Sequence, residues 1–187
     1  MPTARRPTVS PARHVALLRG LNVGGANRLS MADLAALFEQ AGAAEVSTLQ
    51  AAGNVLLTAA AGEVEAIATR VEAALEARGL GSTVVLRTRE ALLAAAAEHP
   101  FLARGADPAR CFVAFLAARP TAAAARSLEP DRSPPDAFEL RGRELYLWLP
   151  AGAAKTRLTN AWMDSRLGTV STVRGWKTVQ ALAQRLA

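Results

Sequence analysis

The sequence predicts an α+β fold, and two observations carry that prediction. Segments in which apolar residues recur every three or four positions, typical of helices, alternate with short apolar runs typical of strands. The order β-α-β-β-α-β followed by a further helix occurs in residues 13–98 and again in residues 111–187. Each stretch is therefore predicted to be a ferredoxin-like unit, a four-stranded antiparallel sheet with two helices on one face.

The first unit is predicted from its helix signals and its apolar runs. His14 to Leu18 is a short apolar run that predicts a buried strand. Ser30, with Asp33 three positions later, is typical of a helix start, and Gly42 of a helix end. The elements predicted after it are strands at 46–50 and 55–58, a helix at 63–78, a strand at 82–87 and a helix at 89–98.

The second unit follows a predicted connector at residues 99–110. Its predicted elements are a strand at 111–116, a helix at 121–128, strands at 138–140 and 144–149, a helix at 156–167, a strand at 170–173 and a helix at 176–186. Residues 1–12 hold three prolines and two arginines without periodicity, so they are predicted to form a disordered basic tail.

The net charge of +6 is concentrated at the two ends of the chain. Residues 1–13 carry +3 and residues 150–187 carry +5, while residues 14–149 carry −2. The basic residues are 20 Arg and only 2 Lys, beside 43 Ala, a composition typical of a GC-rich genome. The high pI alone is therefore weak evidence for a nucleic-acid partner.

Composition also limits the cellular compartment and the kinds of binding site that can be predicted. The single cysteine, Cys111, excludes an intramolecular disulfide and favours a cytoplasmic protein. No apolar run approaches the roughly 18 residues of a membrane span, and the N-terminal apolar run of about four residues is too short for a signal peptide. The two histidines, His14 and His99, lack ligand spacing with other side chains, so neither a metal site nor a cofactor is predicted. No feature predicts an oligomeric state.

The best candidate site is the loop from Arg19 to Arg28, between the first predicted strand and helix. Three glycines and two asparagines in it allow unusual backbone torsions, and an arginine stands at each end. A strand-to-helix loop directs backbone N–H groups and the positive end of the helix dipole towards an anion. It matches neither G-x-x-x-x-G-K-[ST] nor G-x-G-x-x-G. The alternative is a tight turn that needs Gly and Asn for geometry alone.

The predicted topology places the hairpin Gln50 to Asn54 beside this loop, because the first two strands run in the same direction. We therefore expect an anionic or polar small molecule at this end. Arg19 would be its charge partner, Gly24 and Gly25 would be backbone donors, and Asn22 and Asn54 would be orienting amides. The full set of predicted ligand contacts is Arg19, Asn22, Gly24, Gly25, Asn27, Gln50, Gly53 and Asn54.

A second basic cluster lies near the C-terminus and mixes cations with an indole. Arginine can pair bidentately with phosphate and tryptophan can stack, so the cluster suits a phosphate-bearing partner. The alternative, favoured for the tryptophans, is that Trp162 and Trp176 anchor helices in the core while the cations are solvated. The cluster consists of Lys155, Arg157, Asn160, Arg174, Trp176 and Lys177.

Two further functions stay open at this point. One is a nucleic-acid-binding module that uses Tyr146, Trp148 and the basic C-terminal segment. Tyr146 and Trp148 share one face of a predicted strand, with Phe112 on a neighbouring strand, as in sheets that stack RNA bases. That face would be unavailable if the two units pack over it, and the RNP1 consensus is absent. The other function is an enzyme acting on a phosphorylated substrate with Lys155 or Lys177 assisting, although no nucleophile or paired-carboxylate constellation is legible.

Four motifs together resemble the bacterial domain-of-unknown-function 1697 (DUF1697) family over about residues 14–186. They are Arg-Gly-Leu-Asn-Val-Gly-Gly at 19–25, Gly-Asn-Val at 53–55, Leu-Thr-Asn at 158–160 and Arg-Gly-Trp-Lys-Thr-Val at 174–179. The resemblance implies an α+β fold of two ferredoxin-like halves and brings no reaction with it. The chain departs from the family pattern at Ala52, where Ser is usual, at Gly175 and Lys177, where Asn is common, and at Arg157, where Lys is usual.

Overall fold

The computed structural model describes residues 10–21, 29–60 and 62–187. The first half of the chain forms four strands and three helices within these residues. They are β1 (Ala12–Leu18), α1 (Met31–Gln40), β2 (Ala44–Leu49), β3 (Asn54–Ala59), α2 (Val64–Glu76), β4 (Val84–Thr88) and α3 (Arg89–Ala97).

The second half follows two single turns of 3₁₀ helix, Leu102–Arg104 and Pro108–Arg110. Its elements are β5 (Cys111–Leu116), α4 (Ala122–Arg126), β6 (Ala137–Arg141), β7 (Glu144–Trp148), α5 (Asn160–Leu167), β8 (Ser171–Gly175) and α6 (Trp176–Leu186).

The strands form two four-stranded sheets, ordered β2-β3-β1-β4 and β6-β7-β5-β8. Every pair of neighbouring strands is antiparallel. The predicted α+β class is therefore confirmed, as two four-stranded antiparallel sheets with their helices.

The helix starts show how local chemistry sets the element bounds. The Ser30 hydroxyl accepts the Asp33 backbone N–H at 3.0 Å, so the predicted start of α1 is confirmed. The predicted start of the 156–167 helix at Thr156 is wrong. The hydroxyl that caps α5 is that of Thr159, which accepts the backbone N–H of Trp162 at 3.2 Å, so the helix begins at Asn160, four residues after Thr156.

The central strands of each sheet are buried on both faces, and the helices α3 and α6 lie between the two sheets. In β1, Ala16 and Leu18 belong to the apolar layer under α1 and α2, whereas Val15 and Leu17 belong to the middle layer. Burial on both faces explains why β1 is a continuous apolar run instead of an alternating one. The middle layer also contains Val113, Phe115 and Tyr146 from the second sheet, so the two halves share a core.

The opposite face of the second sheet packs against α5. Its layer contains Ala114, Leu116, Leu145 and Leu147 from the strands and Met163 from the helix. The order of layers is therefore helix, sheet, helix, sheet, helix. This arrangement brings the ends of β4 and β8 against the other sheet, where the candidate site lies.

Candidate functional site

Arg174, the fourth residue of β8, extends from the second sheet to the strand ends of the first. Its Nε donates to Asn54 Oδ1 at 2.5 Å, and its Nη2 donates to the backbone oxygens of Leu18 at 2.8 Å and Ala52 at 3.1 Å. Its Nη1 donates to the Thr172 hydroxyl at 2.8 Å. The residue is only 8% exposed. A single guanidinium thus fastens the end of β1 and the β2–β3 hairpin to the second sheet.

Arg87, the fourth residue of β4, makes the same connection in the reverse direction. Its Nε donates to Glu144 Oε1 at 2.7 Å. Its Nη2 donates to the backbone oxygens of Leu116 at 3.0 Å and Arg143 at 2.8 Å. Leu116 ends β5 as Leu18 ends β1, and Glu144 begins β7 as Asn54 begins β3. The two arginines therefore occupy corresponding positions in the two halves.

The corresponding sites differ in charge. Burial lowers the pKa of Arg87, and the nearby carboxylate of Glu144 opposes that shift. Arg174 meets an amide instead, and burial lowers its pKa to about 10. Within the described part of the chain, Arg174 donates only to an amide, a hydroxyl and backbone carbonyls. Burying a charge without an opposite charge beside it costs free energy of folding, so the presence of Arg174 at this position needs an explanation.

Arg19 and Asp164 form a third link between the halves, after those of Arg174 and Arg87. Arg19 Nη1 donates to Asp164 Oδ2, with the two side chains 31% and 22% exposed. The other carboxylate oxygen, Oδ1, accepts the backbone N–H of Ser171 at 2.7 Å and its hydroxyl at 2.6 Å. Asn160, one turn earlier on α5, donates to the Ser171 carbonyl at 2.8 Å. These bonds hold α5 against the base of the predicted ligand loop.

A cavity of about 310 Å³ lies between the side chains of Arg174 and Arg19. We call it the inter-unit cleft. Residues from both halves line it, including the guanidiniums of Arg19 and Arg174. Leu21, the last described residue before the loop interior, also lines it. The lining consists of Leu18, Arg19, Gly20, Leu21, Ala52, Asn160, Thr172, Val173 and Arg174. The charged side chains in this lining are the two guanidiniums, and the carboxylate of Asp164 pairs with only one of them, so the described charges favour a bound anion.

The structure brings the loop base and the hairpin together at one end of the first sheet, where Leu18 N–H donates to Gly53 O at 2.8 Å. Asn54 is fully buried, and its Nδ2 donates to Leu49 O at 2.9 Å, so its amide orients Arg174. Gln50 Oε1 accepts the hydroxyl of Thr178 at 3.1 Å. Asn22, Gly24, Gly25 and Asn27 lie outside the described residues.

Gly53 has a steric role that the sequence left unspecified. Its φ is +67°, and a Cβ there would lie 2.8 Å from the Cβ of Leu18. Such an approach is too close for any other residue without backbone movement. Glycine is therefore required to bring the hairpin carbonyls within reach of Arg174.

The members of the second basic cluster separate in space. Asn160 and Arg174 line the inter-unit cleft, whereas Trp176 is 3% exposed and packs in the middle layer. Trp162 is also buried, in the layer beneath α5. Both tryptophans are thus core residues. The remaining cations are exposed, Lys155 and Arg157 in the segment before α5 and Lys177 in the first turn of α6.

The aromatic face of the second sheet is largely covered. Tyr146 is buried and donates its hydroxyl to Ala95 O at 3.2 Å. The expectation that Phe112 joins it is wrong, because Phe112 pairs with Leu147 and so lies on the opposite face. Trp148 is half-buried and, with Phe101 and Arg104, lines a cavity of about 460 Å³.

Sequence reasoning missed Arg87, Glu144 and Asp164. Aligning the two units would have revealed the first, since Leu86-Arg87 and Val173-Arg174 hold corresponding places before α3 and α6. Asp164, an isolated acid in a basic segment, gave no signal. Among the described residues, no group of three or more His, Cys, Asp or Glu side chains could hold a metal ion. No helix in those same segments has the length and apolar character to cross a membrane.

Comparisons with known proteins agree with this architecture. A structure described as that of the conserved bacterial protein SP0830 from Streptococcus pneumoniae superposes with a TM-score of 0.67 at 21% identity. The match covers 95% of this chain and 100% of that one, which shows a shared fold. No curated protein matches the chain. The model of a family described as "Protein of unknown function (DUF1697)" matches residues 12–146. Since this is most of the sequence, the chain belongs to the DUF1697 family.

Proposed function

We propose that the protein binds a small anionic ligand in the inter-unit cleft. The observation that carries the proposal is the contrast between the two crossing arginines. Arg87 has the carboxylate of Glu144, whereas Arg174 has the neutral amide of Asn54. A buried cation whose described partners are all neutral creates a positive potential in the cavity beside it, and a bound anion would supply the opposite charge.

Arg19 is the residue best placed to contact that anion. Its side chain is nearly one-third exposed at 31%, and a guanidinium has five N–H donors, more than the one oxygen of Asp164 can accept. Arg174 contributes its charge from beneath the cavity, and Gly53 and Asn54 keep it in place. Ligand contacts from Asn22, Gly24, Gly25, Asn27 and Gln50 stay predictions of the sequence.

We also infer that each half is a ferredoxin-like unit. The strand orders and the antiparallel pairings support this description. Its functional consequence is that the loop after the first strand and the β2–β3 hairpin reach the same end of the sheet, beside Arg174 of the other half.

Thermal unfolding in the presence of inorganic phosphate tests the proposal. A ligand that binds only the folded state raises Tm in proportion to the logarithm of its concentration once it exceeds Kd. We expect phosphate to raise Tm beyond sodium chloride of equal ionic strength, and Arg19→Ala to abolish this difference. Arg78→Ala, an exposed arginine after α2 and outside the cleft lining, is the matched control and should keep it. Equal effects of phosphate and chloride on the native protein would refute anion binding here.

Nucleic-acid binding is the second candidate, and the cavity beside Trp148 is the observation that favours it. The rings of Phe101 and Trp148 are nearly parallel, 25° apart with centroids 6.4 Å apart, and the Arg104 guanidinium lies 5.1 Å from the Phe101 centroid. Phe101 is itself buried, so the half-buried Trp148 is the ring that would stack one base beside this cation. Filter binding of single-stranded RNA at low salt tests it, and affinity that does not fall with salt would argue against it.

A further inference from the structure

We propose that a second cavity, of about 380 Å³ beside Arg87, is a binding site for a basic α-amino acid. We call it the α2 cleft. It lies between α2 and β4, and Ala117 and Arg143 of the second half complete its wall. Arg87 already has the carboxylate of Glu144, so its charge is paired. No described residue lines both this cavity and the inter-unit cleft, so the two sites are separate.

The α2 cleft occupies the place in the first half that the inter-unit cleft occupies in the second. In the first half, Glu72 Oε1 accepts the N–H of Val84, the first residue of β4, at 2.7 Å. In the second half, Asp164 Oδ1 accepts the N–H of Ser171, the first residue of β8, also at 2.7 Å. Both strands lie at the edge of their sheet. One acid in each half thus holds the first N–H of an edge strand.

The two acids differ in whether a cation accompanies them. The residue after β1 is Arg19, which pairs with Asp164, whereas the residue after β5 is Ala117. Within the described segments, no cationic side chain forms an ion pair with Glu72. One oxygen of this carboxylate holds Val84, and the other is available to a ligand. An ammonium group would take the part that Arg19 plays beside Asp164.

A guanidinium stands further along the same edge of β4. Nη2 of Arg143 donates to Ala117 O at 2.6 Å and lies 3.5 Å from the carbonyl oxygen of Leu86. Leu86 is two residues beyond Val84, a distance of about 7 Å along a strand. Arg143 and Glu72 do not pair with each other or with any other described ionised side chain. An ammonium and a carboxylate joined by one carbon, as in an α-amino acid, suit this spacing.

The far end of the cleft offers a second negative charge and a buried acceptor. Glu65 precedes Glu72 by seven residues on α2, which places it on the same face about 10 Å away. His14, which also lines the cleft, is only 6% exposed. Its Nδ1 lies 2.9 Å from the Ala12 carbonyl oxygen, which can only accept, so Nδ1 carries the proton. Nε2 of the neutral ring is then an acceptor, and no described residue donates to it.

The unpaired charges of the cleft define the class of ligand. They are two carboxylates and one guanidinium, so the complementary ligand has two cations and one anion. Lysine, ornithine and arginine have this pattern. The α-ammonium would meet Glu72, the α-carboxylate would meet Arg143, and the terminal cation would meet Glu65 and His14. A neutral amino acid leaves Glu65 unused, and a diamine leaves Arg143 unused.

L-Lysine, L-norleucine and cadaverine form a matched set of probes. Norleucine is lysine without its terminal ammonium, and cadaverine is lysine without its carboxylate. We expect the native protein to bind L-lysine at least about tenfold more tightly than either of the others, in calorimetric titration at low ionic strength. Equal affinity for the three probes, or no binding of L-lysine, would overturn the proposal.

Two substitutions on α2 test the assigned contacts. Glu72→Gln keeps an oxygen for the Val84 N–H and removes the charge, so the affinity for L-lysine should fall at least about tenfold. Glu76→Gln, one turn later on α2 and outside the cleft lining, is the matched control and should keep the native affinity. Glu65→Gln should weaken L-lysine and leave L-norleucine unchanged, because only lysine has a cation at that end.

The outcomes also separate this site from the inter-unit cleft. Unchanged L-lysine affinity in a folded Glu72→Gln variant would overturn the assignment. Should that variant fail to fold, Glu65→Gln decides, since Glu65 is exposed, and an unchanged preference for lysine over norleucine would then refute the site. Arg19→Ala should leave L-lysine binding intact. Loss of binding in that variant would place the ligand in the inter-unit cleft instead.

Discussion

Arg174 Nε lies 2.5 Å from Asn54 Oδ1 across the two halves of the molecule, and both residues are buried. The corresponding contact in the other direction joins Arg87 Nε to Glu144 Oε1 at 2.7 Å. The two contacts have similar geometry but differ in charge. Arg87 links the two sheets, whereas Arg174 links them and also places a positive charge beside the inter-unit cleft.

The first prediction concerns Arg87, whose buried charge is paired with the carboxylate of Glu144. Glu144→Gln should lower the free energy of unfolding by about 1–3 kcal/mol, because Gln keeps an acceptor for Arg87 but leaves the charge of the buried guanidinium unpaired. Urea denaturation measures the change. Glu129→Gln is the control. Its pair with Arg166 is 46% and 41% exposed, so the loss there should stay below about 0.5 kcal/mol. Equal losses in the two variants would contradict a special role for the buried pair.

The second prediction concerns Asn54. Asn54→Asp gives Arg174 the carboxylate that Arg87 already has, so the positive potential of the cleft should fall. We expect the affinity for inorganic phosphate to drop about tenfold, measured by the shift of Tm with phosphate concentration. The new ion pair offsets only part of the cost to stability, because a carboxylate oxygen replaces the Nδ2 donor and faces the Leu49 carbonyl oxygen. Undiminished phosphate binding in a folded variant would show that the charge of Arg174 does not act on the cleft.

The third prediction concerns Gly53. Gly53→Ala should cost about 2–4 kcal/mol, because positive φ and a 2.8 Å approach to the Leu18 Cβ act together. Gly79→Ala is the matched control. Its φ of +70° is nearly the same, but nothing lies within 4 Å of the added Cβ, so only about 1 kcal/mol should be lost. Similar losses for the two variants in urea denaturation would mean that the close approach relaxes freely.

The sequence predicted the fold more completely than the site, for a physical reason. Secondary structure follows local patterns, such as the apolar run of β1 or the Ser30 cap, which neighbouring residues determine. The site depends on contacts between residues far apart in the chain. Arg174 and Asn54 were both recognised as polar site residues. Their bond spans 120 positions, however, so nothing local showed that the amide serves the arginine.

The same limit explains the second basic cluster. Proximity along the chain grouped Trp176 with Arg174, but strand and helix geometry direct them to different places, one into the middle layer and the other across to the first half. The alternative favoured for the tryptophans, burial in the core, is confirmed for Trp176, which begins the apolar stripe that Val179 and Leu182 continue.

The last prediction concerns His99, which is 1% exposed in the core where the connector meets the second sheet. Its Nε2 contacts Phe112 O at 3.1 Å, and its ring packs edge-on against Tyr146 and Trp176, with centroids 5.2 and 5.0 Å apart. Burial lowers the pKa of His99 below its ordinary value of 6.5, partly opposed by the bond to Phe112. Of the charged groups around it, Arg141 lowers the pKa further and Glu139 raises it.

The sign of the pH dependence follows from this shift. The unfolded chain binds a proton at His99 near pH 6.5, whereas the folded protein does so only at lower pH. Between those two values the unfolded state holds more protons, so acid favours unfolding there. The contribution of His99 is therefore complete above about pH 6.5 and is lost as pH falls towards the folded pKa. His99→Gln, which does not titrate and can still donate to Phe112, should show a shallower loss of unfolding free energy between pH 7.5 and pH 5. Parallel curves for the two proteins would mean that His99 does not contribute to acid sensitivity, because every other titrating group is common to both.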